Sequence, residues 1–62
     1  MNIYKVEAEL YGCLLTAVVA CEKESDAVKL TSFSTDTHQN HVVTLIGKST
    51  YTKPTNICEE DL

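Results

Sequence analysis

The chain has 62 residues, a hydrophobic fraction of 44% and a formal net charge of −4, with no arginine in the sequence. That length allows a single domain, residues 1–62, with a thin core, and the composition excludes disorder throughout. Without Arg, the chain lacks the bidentate donors that phosphate and guanine recognition favours, and its scattered lysines make no basic stripe, so direct nucleic-acid binding is disfavoured.

No basic segment leading into an apolar run follows Met1, and the apolar stretches Leu14–Leu15 and Ala17–Cys21 are too short to span a bilayer. The expectation is a cytoplasmic protein with no membrane partner. Cys13, Cys21 and Cys58 are odd in number, which excludes a closed disulfide framework within one chain. In a reducing compartment they read as small buried hydrophobes.

In residues 3–11 the side chains alternate, with Tyr4, Val6, Ala8 and Leu10 on one side and Lys5, Glu7 and Glu9 on the other. This is the pattern of a half-buried strand. Gly12 fits a tight turn, and residues 13–21 form a second strand whose Cys13 would lie opposite Leu10. The far side of that strand, with Leu14, Thr16, Val18 and Ala20, is apolar enough to need cover from a C-terminal segment or from another chain.

Residues 22–33 switch to a helical period, with acidic residues at the start and Ala27, Leu30 and Thr31 on one stripe, which predicts a helix of about three turns. Residues 34–40 are a polar connection. Residues 41–48 are a third strand, apolar on both faces and so expected to be well covered, with Gly47 marking a bulge or the strand end. Residues 49–62 are weakly patterned. Pro54 excludes a central strand there, Ile57 and Cys58 suit a short edge strand or packed extension, and Glu59, Glu60 and Asp61 read as a solvated tail.

The expected fold class is α+β. It consists of a small antiparallel sheet with one helix packed on a face, in the order β-β-α-β, plus a C-terminal extension or edge strand. Residues 1–48 would form the core and 49–62 the extension. A strand order of 2-1-3 suits the helical connection, and 1-2-3 remains open.

Chemistry is sparse. His38 and His41 lie near Asp36 with a spacing that can share a metal, but no cysteine pair has the close separation of a zinc site, and surface histidines are the plainer reading. A Cys58–His38–Asp36 scheme would need a lowered thiol pKa, whereas Glu59 and Glu60 beside Cys58 oppose thiolate formation. Glu7 and Glu9 point the same way, but acid–base work would need a cleft. Gly12 and Gly47 are too far apart for a phosphate loop. No catalytic residue, resident metal or cofactor is therefore assigned.

What remains is a surface. Tyr11 at a hairpin tip, Tyr51 beyond the third strand, Leu14 and Val18 on an apolar strand face, and Glu22, Glu24 and Asp26 at the helix start are the candidate protein-binding residues. Strand edges add unpaired backbone groups that can recruit another chain.

The stretches Tyr4-Lys5-Val6, Val18-Val19-Ala20, Glu24-Ser25-Asp26-Ala27 and Ile46-Gly47 follow one another in an order that resembles small proteins of phages and mobile elements. Most such proteins have no assigned activity, so the resemblance carries over no functional residues; some small acidic phage proteins inhibit host defence complexes, an analogy of size and charge. The expected function is an acidic, non-enzymatic protein-interaction module that docks on a host protein or on itself. Two alternatives stand beside it: a homodimer joined through the Leu14/Val18 face, and a metal-binding regulator using His38 and His41.

Overall fold

The computed structural model describes residues 1–33 and 36–61; Ser34, Thr35 and Leu62, from the predicted connection and tail, lie outside the described residues. Alternation at the start of the chain produces strands β1 (Asn2–Leu10) and β2 (Cys13–Cys21). Leu10 pairs with Cys13, so Tyr11 and Gly12 alone turn the chain. Both have positive φ, 51° and 79°, the hairpin geometry whose twist matches that of the strands. Glycine adopts it freely, whereas a residue with a β-carbon does so at a cost of roughly 1–2 kcal/mol.

Tyr4, Val6 and Ala8 of β1 and Leu15, Ala17, Val19 and Cys21 of β2 are buried on one face. Ala27 and Phe33, from the segment that follows, close over them. The core is one layer deep and mostly aliphatic, with Tyr4 and Phe33 as its aromatic members.

The segment after β2 corrects the sequence reading. No three-turn helix forms. Helix α1 is a single turn, Glu24–Ala27, which continues as a 3-10 turn, Val28–Leu30, and Thr31 is already extended at φ −90° and ψ 166°. The N-cap, Lys23, supplies no capping hydrogen bond, and Val28, Thr31 and Ser32 are weak helix formers. Thr31 ends the helix actively: its Oγ1 donates to the Val28 carbonyl at 2.7 Å and its N–H to the same oxygen at 3.1 Å. Leaving the helix there lets Phe33 reach the core, where it is 7% exposed.

The C-terminal region is the second correction. Strands β3 (Gln39–Lys48) and β4 (Thr55–Asp61) complete a four-stranded antiparallel sheet in the order β3-β1-β2-β4. The expected β-β-α-β layout with a helix as a main layer is replaced by this sheet and one short helical segment. The edge strand that Ile57 and Cys58 suit does form, but it is longer than expected: it takes in Glu59, Glu60 and Asp61, expected as a solvated tail, and pairs with β2 from Leu15↔Asp61 to Ala20↔Thr55. That pairing uses backbone groups, to which a search for apolar alternation is blind. Pro54 stands just before the strand, where its missing N–H costs no ladder bond. Nor does β4 cover the far side of β2: it extends the sheet sideways, leaving Leu14 40% exposed on that far side.

Strand β3 is the third correction. It was expected to be covered on both faces, yet Val42, Leu45 and Ile46 are 51%, 56% and 52% exposed. Among the described residues its one strand neighbour is β1, and of its residues Val43 packs against the core. The ladder slips twice. Ile46 bulges out between the Ile3↔Gly47 and Tyr4↔Leu45 pairs, one residue before the glycine that signals it, and a second irregularity spans Glu7 to Glu9, near Asn40 at φ 53°. Between them, Val42 to Leu45 runs in regular register against Glu7 to Tyr4.

Candidate interaction surface

The candidate residues do not converge on one site. Tyr11 is 94% exposed at the hairpin tip. Glu22 follows the other end of β2, and Tyr51, after β3, lies at that same end, where the Ser49 N–H donates to the Met1 carbonyl at 2.8 Å. The molecule is 35 Å long, so one binding footprint could hardly hold both tyrosines. Glu22 and Glu24 are exposed, but Lys23 lies between them, and Asp26 is 3.9 Å from the Lys29 ammonium. The acidic cluster is therefore partly neutralised by its own neighbours.

Leu14 and Val18 do share the sheet face opposite α1. Direct cross-strand pairs put Thr44, Lys5, Val18 and Cys58 in one row of that face, Val42, Glu7, Thr16 and Glu60 in the next, and Gln39, Glu9 and Leu14 in a third. Each apolar residue thus sits beside a charge. A dry interface on this face would have to bury Lys5, Glu7 and Glu9, which is costly unless each is paired.

The histidines are not on a free loop. The His38 ring packs on Phe33 with centroids 5.4 Å apart, and its Nδ1 is 3.2 Å from the Thr37 hydroxyl. His41 belongs to β3, and its Nε2 is enclosed without a hydrogen-bond partner among the described residues. Among the described residues no three His, Cys, Asp or Glu side chains gather as a metal site would need. The cysteines also depart from expectation: only Cys21 is buried, while Cys13 and Cys58 are exposed free thiols. Burial pushes the Cys21 thiol above its ordinary value, and the Asp26 carboxylate adds to the shift. Its S–H donates to the Lys23 carbonyl at 3.1 Å.

Two features escaped the sequence reading. The first is a polar latch between β4 and the helical crossover. The Ser32 N–H and hydroxyl donate to the two carboxylate oxygens of Glu59 at 2.7 and 2.8 Å. Asn56 Nδ2 donates to the Leu30 carbonyl at 3.0 Å and to Glu59 Oε1 at 2.7 Å. Burial works to raise the Glu59 pKa, but these donors prevail and hold the carboxyl below its usual value. A pocket of about 240 Å³ beside the latch is lined by Leu15, Ser32, Phe33, Glu59 and Glu60, short of the roughly 300 Å³ at which small-molecule sites begin.

The second is the outer edge of β3. Gln39 to Gly47 carries no Asp, Glu, Lys or Arg. Its exposed apolar side chains lie on both sides of the sheet: Val42 pairs with outward Glu7, and Leu45 pairs with core Tyr4. A wider groove, lined by Lys23, Glu24, Ser25, Val28 and Val43, runs between α1 and this strand. The signal was in the predicted 2-1-3 order, which makes the third strand an edge. No family model, curated protein or solved structure matches the chain, so the surface is read from its own chemistry.

Proposed function

We propose that this chain is a non-enzymatic protein-binding module that docks through the β3 edge, taking a partner strand into its sheet. The observation that carries this reading is the edge itself: ten residues with a single strand neighbour among the described residues, three half-exposed apolar side chains and no ionised residue before Lys48. Open backbone donors and acceptors supply affinity in such pairing, and side chains on alternate faces supply selectivity. The exposed free thiols of Cys13 and Cys58 support a cytoplasmic location, because such thiols persist in reducing compartments.

The test is affinity capture with the wild-type chain and with a Val42→Lys/Leu45→Lys variant. Both side chains are half-exposed, so the variant should fold. Loss of the bound protein from a chain that retains its circular dichroism is the expected result. Equal capture by both would overturn the reading.

A further inference from the structure

We infer that the strand accepted at the β3 edge is β3 of a second copy of this chain, paired antiparallel about a two-fold axis normal to the sheet. This rests on the reading of β3 as the docking edge and names its occupant.

Three observations select a second copy. The first is register. An axis through Val43 sets Val42 opposite Thr44, within the segment between the two ladder irregularities, and His41 opposite Leu45. Val43 and Leu45 pair with Val6 and Tyr4 of the core face, so opposed residues stay on the same side and the apolar faces run on across the junction. No ionised side chain meets its like at that junction.

The second is charge. The chain carries a net −4, which opposes self-association unless the acidic parts are kept apart. In the order β3-β1-β2-β4, the β4 acids Glu59 and Glu60 lie at the far edge, and Glu24, in the groove beside β3, has Lys23 next to it. Joining two β3 edges puts the two β4 strands seven strand spacings apart, about 34 Å, beyond the screening length of about 8–10 Å at ordinary salt. A β4–β4 pair would bring the same acids together.

The third is closure. A β3–β3 pair is isologous, uses up both neutral edges, and leaves β4 at each end of the doubled sheet. It therefore stops at two copies, whereas a β3-to-β4 contact would propagate. The bulge at Ile46 and the irregularity near Asn40 confine the flat pairing segment to the residues between them. That bounds the interface and keeps it weaker than a large obligate one.

The test is sedimentation equilibrium of the full chain, with a thiol reductant to exclude cross-links through Cys13 and Cys58, from low micromolar to millimolar concentration. Amide hydrogen exchange is followed on the same samples. A molar mass that doubles with concentration, with at least tenfold slower exchange of alternate β3 amides and no change in β4, is the expected result. The Val42→Lys/Leu45→Lys variant should remain monomeric, and the single Leu45→Lys change covers the case where the double variant misfolds. A wild-type monomer across the whole range overturns the second-copy inference. So does a dimer that persists in folded lysine variants. If the wild type is monomeric and the variants still lose a captured protein, β3 docking stands and only the identity of the occupant falls. If capture is also unchanged, both fall.

Discussion

The two outer strands of this sheet, β3 and β4, sit on either side of the same hairpin and are built on opposite terms. Strand β4 is preceded by Pro54, carries Glu59 and Glu60, and is fastened to the helical crossover through Asn56 and Glu59. These features are the ones by which proteins blunt an exposed edge. Strand β3 is longer, neutral from Gln39 to Gly47, and half-exposes Val42, Leu45 and Ile46. On the proposed reading, one edge repels further strands and the other accepts them.

Both edges depend on the same core. Phe33 caps the common core. Replacing it with Ala should cost about 3–5 kcal/mol, as much as the net stability that a core of this size supplies. Thermal unfolding should show both edges lost together; a cooperative transition surviving in Phe33→Ala would mean that one half of the sheet is stable alone.

The next largest effect separates the edges. Lysines at Val42 and Leu45 should weaken partner binding at least tenfold, about 1.4 kcal/mol. Lysines at Ile57 and Cys58, exposed positions on β4, should change it little. Titration calorimetry against the captured partner distinguishes the two, and equal losses would erase the distinction.

The latch sharpens the β4 side. Glu59→Gln removes a charged acceptor for Ser32 and Asn56 and should cost at most about 1 kcal/mol after discounting for solvent screening, with faster hydrogen exchange confined to β4. Because the folded carboxyl is held below its ordinary value of 4.5, its stabilisation is fully present above that value and disappears as pH falls through the lower, folded one. The wild-type β4 should therefore fray in acid, and Glu59→Gln should lack that step in an acid titration followed by exchange or circular dichroism.

The smallest effect is at the hairpin tip. Tyr11 holds φ at 51° while 94% exposed, a conformation that Asn tolerates better. Tyr11→Asn should raise stability by about 0.5–1 kcal/mol. A loss in chemical denaturation would mean that the ring makes a contact that offsets its backbone strain.

The hairpin was legible because its alternation is long and one face is buried: Tyr4, Val6 and Ala8 face Val19, Ala17 and Leu15 in the register a two-residue turn demands. The β4 strand was half legible: Ile57 and Cys58 suited an edge strand, but its reach to Asp61 did not show, because Asn56, Glu59 and Glu60 hide no apolar face and the strand is held by backbone pairing and by partners in the distant Leu30–Ser32 segment. The short helix was misread because acidic residues at its start resemble a helix beginning, while the signals that end it, Thr31 capping Val28 and the need to bury Phe33, are tertiary. On the surface, Tyr11 at the tip and exposed Leu14 are where the pattern puts them. The β3 edge was missed because apolar residues on both faces were taken to mean cover, when the absence of charge along Gln39 to Gly47 meant an unguarded edge.

The most direct measurement is residue-resolved amide hydrogen exchange of the wild-type chain, compared between dilute and concentrated samples. Protection should grow with concentration at alternate amides between His41 and Leu45 and stay constant in β4. Growth of protection in β4, or on the Leu14/Val18 face with β3 unchanged, would contradict docking through β3.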